Sequence, residues 1–89
     1  MRAVITVIGK DMVGILARVS AICAKDQVNV IEVTQSVLQD VFAMIMLVDI
    51  SKSTVSLSQL SDELTTSGNE INLTVHVMHE DIFNSMHRI

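Results

Sequence analysis

Proline, tryptophan and tyrosine are absent from these 89 residues, which hold only two phenylalanines, three glycines and one cysteine. With so few aromatic rings, a core has to be assembled from Val, Ile, Leu and Met. No proline, Gly/Ser-rich stretch or low-complexity tract separates one part of the chain from another. The whole length therefore reads as a single domain, small but large enough for one core. A single cysteine excludes an internal disulfide and any multi-cysteine metal cluster. Cys23 falls in the apolar pattern of a helix and reads as a small buried hydrophobe. Positive charge is also scarce. Arg2, Lys10, Arg18, Lys25, Lys52 and Arg88 are scattered, and the formal net charge is −4. A nucleic-acid surface needs clustered Lys and Arg to neutralise phosphates. No run approaches the roughly 20 apolar residues needed to span a bilayer. No signal-peptide pattern opens the chain either, since Arg2 stands alone and the apolar run after it is too short. A cytoplasmic protein is the expectation.

What the chain does have is aliphatic surface. Hydrophobic residues make up 49% and the mean hydropathy is +0.50. A small chain of this kind often shares such surface with a copy of itself. Periodicity then gives six elements. A first strand covers about Arg2 to Ile8. A helix runs from about Val13 to Lys25, with Ile15, Leu16, Val19, Ile22 and Cys23 on one stripe and Asp26-Gln27 closing it. Strands at about Val28–Leu38 and Val41–Ile50 flank Gln39-Asp40, which reads as a hairpin turn. A second helix covers about Leu57–Ser67, with Leu57, Leu60 and Leu64 at helical spacing. Ser56 and Gln59 fit a capping box at its start, and Gly68 fits a left-handed cap at its end. The last strand, about Ile71–Met78, alternates Ile71, Leu73, Val75 and Val77 inward with Asn72, Thr74, His76 and Met78 outward.

The order β-α-β-β-α-β predicts an α+β, ferredoxin-like fold: a four-stranded antiparallel sheet with two helices on one face. In the third strand both Phe42, Met44, Met46, Val48 and the alternating Val41, Ala43, Ile45, Leu47 are apolar, so both faces of the sheet need cover. The helices supply one. A partner subunit or the tail, residues 79–89, supplies the other; Ile82, Phe83 and Met86 give the tail the pattern of one or two helical turns.

Catalytic chemistry is hard to assemble. His76, His79 and His87 all lie near the end, and the three-residue offset of the first two puts them on opposite faces of a strand. No metal site and no cofactor are expected. Cys23 has no neighbouring base to activate it. Most carboxylates, Asp26 among them, sit at turns and helix ends and read as caps and solubilising groups. Glu32 lies mid-strand and should face outward or pair across the sheet. One segment stands apart: Gly9-Lys10-Asp11-Met12-Val13-Gly14-Ile15 links the first strand to the first helix. A helix start of this kind presents backbone N–H groups suited to a small anion or carboxylate.

That segment, followed by Leu16-Ala17-Arg18-Val19 and then Val28-Asn29-Val30, resembles the ACT domain family. Its pattern is a Gly-x-Asp-x-x-Gly-Ile/Val loop entering the first helix, with an Asn-Ile/Val pair opening the second strand. The resemblance spans about residues 3–78. It is closer still to free-standing bacterial ACT proteins and to the ACT modules of the glycine cleavage repressor and formyltetrahydrofolate deformylase. Those modules carry Gly-Pro-Asp-Arg-Pro-Gly-Ile loops, where this chain has Lys10, Met12 and Val13 instead of Pro, Arg and Pro. The resemblance implies a ligand site across a homodimer interface, with the loop of one subunit facing the start of the second strand of the other. Asp11, Met12, Val13, Gly14 and Ile15 would form one half, and Asn29 and Val30 the other. Asn29 offers both donor and acceptor to an amino acid.

The function expected is therefore a non-catalytic regulatory module that dimerises and binds a small metabolite, an amino acid, passing the signal to an unidentified protein partner. The competing expectation is a ligand-free structural or protein-interaction domain. An RNA-binding role on the same fold would need aromatic stacking residues on a basic sheet, and only Phe42 qualifies.

Overall fold

Two-residue alternation of apolar side chains sets the sheet. The structure, a computed structural model, describes residues 1–10 and 14–86. Strand β1 (Arg2–Gly9) lies between β3 (Val41–Asp49) and β4 (Thr74–His79), and β2 (Asn29–Leu38) pairs with the far side of β3, giving the antiparallel order β2-β3-β1-β4. Helices α1 (Ile15–Lys25) and α2 (Leu57–Glu70) cover one face. Between them and the sheet lie Ala3, Ile5 and Val7 of β1, Phe42, Met44, Met46 and Val48 of β3, and Val75 of β4, closed by Ile15, Val19, Cys23, Leu60 and Leu64. The expected ferredoxin-like arrangement is the one formed. Among the described residues, no helix is long and apolar enough to cross a membrane.

The opposite face receives a third helix, α3 (Glu80–Met86). His79 Nδ1 accepts the Asp81 N–H at 3.0 Å, and Glu80 and Asp81 in the first turn suit the positive end of the helix dipole. Arg2 forms a two-pronged pair with Glu80, tying α3 to the start of β1. Phe83 and Met86 then border a groove of about 370 Å³ with Thr6, Ile8, Ala43, Ile45, His76 and Met78. The described part of the tail, through Met86, thus packs on its own sheet, covering part of the second apolar face.

Both long helices end in the same device. In α1, Gln27 takes a left-handed φ of 62° while Val28 N–H reaches the Cys23 carbonyl and Gln27 N–H the Ala24 carbonyl. In α2, Asn72 (φ 60°) plays the same part, with Leu73 N–H on the Gly68 carbonyl. These are Schellman endings built without glycine. They correct the expected role of Gly68: α2 runs on to Glu70, and Gly68 sits inside it, buried. A Cβ there would meet Val75 Cγ2 at 2.6 Å and the Leu73 carbonyl at 3.3 Å, so Gly68 serves close helix–strand packing. Gly68→Ala is therefore expected to lose on the order of 1 kcal/mol in urea unfolding, because overpacking outweighs alanine's better helix propensity. A gain in stability would contradict this contact. At the other end of α2, Ser56 Oγ accepts the Gln59 N–H at 3.1 Å, as the capping pattern predicts.

A second correction concerns Leu16. It is placed by sequence on the buried stripe of α1 but is 41% exposed, since only Ile15, Val19 and Cys23 of that helix are fully covered. The helix layer skirts β2, and Val30, Ile31, Val33 and Val37 on that edge strand are all exposed. A bulge between Val30 and Glu32 puts Glu32 opposite Leu47, on the face away from α1 and α2.

Candidate functional site

The loop half of the expected site is anchored by Gly14. Its φ of 77° and ψ of 0° make it a left-handed N-cap for α1, a conformation that glycine adopts without penalty. A Cβ on it would find nothing within 4 Å, so the conformation, rather than crowding, requires glycine here. Arg18 N–H bonds to the Gly14 carbonyl at 2.9 Å. The N–H groups of Ile15, Leu16 and Ala17 consequently have no acceptor within the helix. Ile15 itself is buried in the core and contributes its backbone, not its side chain, to this end. Asp11, Met12 and Val13, the remaining residues of this half, lie outside the described residues.

The strand half stands at the other end of the sheet. Asn29 opens β2 opposite Asp49, exposed, and Val30 follows it at the edge. Together with Ala24, Gln27, Val28, Ser51 and Lys52, Asn29 and Asp49 line a cleft of about 480 Å³. Asp49 is pulled below its ordinary carboxylate value by the Ser51 hydroxyl and amide, with a smaller contribution from the Met1 ammonium. The Ser51 amide donates to Asp49 Oδ1 at 2.9 Å. The cleft is therefore lined by a carboxylate held by Ser51, together with Lys52 and Asn29. Sequence reasoning names Asn29 alone of these. The Asp49-x-Ser51 spacing at the end of β3, an aspartate whose side chain caps the amide two residues on, is the signal that points to the rest.

The two halves do not meet within one chain. β1 leaves the sheet at Gly9, opposite Phe42, whereas Asn29 lies opposite Asp49. Seven residues of β3 separate those register positions, roughly 23 Å of strand. Helix α1 bridges the gap, running 11 residues from the Gly14 end to the Asn29 end.

The sulfur chemistry is quiet. Cys23 is a free, buried cysteine whose thiol is pushed up to about 11, by burial first and then by the charge of Asp26. A buried thiol with so high a value stays protonated at neutral pH, the setting of a structural cysteine.

Comparison with known proteins places this geometry. A profile of the ACT domain matches residues 2–78. A UPF0237 protein of Methanopyrus kandleri is 47% identical over 88 residues, covering 99% of this chain and 98% of its own. An ACT domain protein from Streptococcus pneumoniae superposes with a TM-score of 0.81 at 34% identity, over 93% of both chains. A formyltetrahydrofolate deformylase from Pseudomonas syringae shares the fold alone, at 20% identity and a TM-score of 0.78, over 88% of this chain and 27% of its own.

Proposed function

The chain belongs to the ACT domain family, and on that premise we propose that it is a non-catalytic regulatory module that dimerises, binds an amino acid at the subunit interface and so modulates a partner protein. The separation of its two half-sites carries this reading. Backbone donors at the start of α1 suit a carboxylate, and the cleft around Asn29, Asp49 and Lys52 suits a group with both an amino and a carboxylate end. The two halves stand roughly 23 Å apart along the sheet. A two-fold partner brings the Gly14 end of one copy to the Asn29 end of the other.

The bare edge supports the same geometry. Val33 and Val37 lie on the helix side of β2, opposite Met46 and Phe42, at 36% and 55% exposure. An apolar strip on an unpaired strand is a surface that a second copy would cover. Ligand seated between the copies would favour the dimeric form, and a partner that reads that form would respond.

Thermal-shift screening against the amino acids tests this reading. A ligand at 100 times its dissociation constant adds about 2.7 kcal/mol, which in a domain of this size raises the melting temperature by roughly 11–22 °C. No shift with any of them would favour the second reading, a ligand-free interaction domain that uses the same exposed edge of β2.

A further inference from the structure

Asp26 is the sole charged residue fully buried among those described, at 3% exposure. It closes α1, at the negative end of the helix dipole, where a carboxylate is disfavoured. Its Oδ2 has no hydrogen-bond partner, and the one other buried side-chain oxygen so placed among the described residues is Glu63 Oε2 of α2. Lys25, the residue before Asp26, reaches Glu63 of α2 with its ammonium, which brings the two carboxylates to the same seam between the helices, and each shifts the other's titration. Two ionised carboxylates cannot satisfy one another, since both only accept. With one proton between them, one oxygen donates and both are satisfied. Lys25 Nζ stands 3.1 Å from Glu63 Oε2 as an ion pair. A protonated Asp26, an ionised Glu63 and Lys25 together form a neutral trio.

We propose that Asp26 and Glu63 share a single proton, and that this proton latches the α1–α2 seam to the segment walling the Asn29 cleft, so that the cleft's shape follows pH. The mechanical link is short. The Asp26 carbonyl accepts the Thr54 N–H at 2.9 Å and the Thr54 hydroxyl at 3.3 Å. Thr54 lies two residues beyond Lys52, on the same β3–α2 connection that carries Ser51. On the other side, Gln27, Val28 and Asn29 follow Asp26 directly, and all three line the cleft. Loss of the proton leaves two like charges at the seam with one ammonium to balance them, which forces the helices or the Asp26 corner apart.

The titratable groups facing Asp26 are Lys25 and Cys23 from α1 and Glu63 from α2. Burial, then Glu63, raise Asp26 above its ordinary value of 3.8. Lys25, then Asp26, hold Glu63 below 4.5. The sign follows for each group. Asp26, raised on folding, contributes stability that is complete below 3.8 and lost as pH rises through its folded value. Glu63, lowered on folding, contributes stability that is present above 4.5 and lost as pH falls through its folded value. The latch is therefore strongest on the acid side of the Asp26 titration.

Carbon-detected NMR titration of the labelled protein tests the latch without any ligand, so its outcome is independent of the amino-acid reading. The Asp26 carboxyl carbon is expected to titrate above 3.8. The Thr54, Asn29 and Lys52 amides should shift with the same midpoint. In Glu63→Gln, whose amide donates to ionised Asp26, that midpoint should drop. In Asp26→Asn, the pH-dependent shifts of the three amides over that range should vanish, and its melting temperature relative to the parent should climb as pH rises through the parent's midpoint. An Asp26 midpoint at or below 3.8, or cleft amides that ignore its titration, would overturn the proposal. The titration of the unaltered chain decides the matter even if a variant does not fold.

Discussion

Ile5→Ala is expected to cost about 2–5 kcal/mol. Ile5 is fully buried at the middle of a strand flanked on both sides, opposite Met46 on β3 and Val77 on β4. The neighbouring strands are fixed by their ladders, so the space cannot close by a backbone shift. A domain of this length has a total stability of roughly 4–13 kcal/mol, so the loss is a large share of it. The melting temperature followed by circular dichroism should fall by at least about 10 °C. Ile8→Ala on the same strand is the control. Ile8 points to the other face and is 46% exposed, so its loss should stay near 1 kcal/mol or below. Equal losses at the two positions would mean that the faces of β1 are wrongly assigned.

Val33→Lys is expected to leave the folded chain nearly as stable as before and to weaken self-association by at least about 100-fold. In the single chain Val33 is already partly in water, and a lysine can extend its ammonium past the strand edge. In a dimer that covers β2, the same ammonium is desolvated without a partner, a cost of several kcal/mol. One hundredfold corresponds to about 2.7 kcal/mol, well within that range. Analytical ultracentrifugation over a concentration series reads the effect directly, with circular dichroism as the check on folding. Unchanged association would move the interface away from this edge.

The fold was legible because period and turn chemistry agreed at nearly every element. Strands with alternating Val, Ile and Met, a helix stripe through Ile15, Val19 and Cys23, and Ser56 before Gln59 each pointed to the same architecture. The errors share a cause: they concern how elements meet, which local pattern does not encode. Gly68 looks like a helix end because glycine usually is one, yet its place was set by Val75 across the helix–strand contact. Leu16 fits the helical stripe, but of α1 only Ile15, Val19 and Cys23 are covered by the sheet and α2, leaving Leu16 41% exposed. Asp26 resembles any other charged residue at a helix end, and only the packing of α2 shows it to be buried beside Glu63.

The candidate site was legible in part for a similar reason. Gly14 and Asn29 stand in a local pattern, so sequence alone singles them out. Asp49, Ser51 and Lys52 join Asn29 only because β2 and β3 pair in the observed register. The roughly 23 Å between the two half-sites likewise follows from that register, and it makes the second copy a requirement of the proposed site.

Sedimentation equilibrium at micromolar concentration tests the central claim most directly. The proposed composite site predicts a species of twice the 9.8 kDa chain mass, reduced to the single chain by Val33→Lys. A parent chain that sediments as a clean 9.8 kDa monomer at that concentration would contradict it.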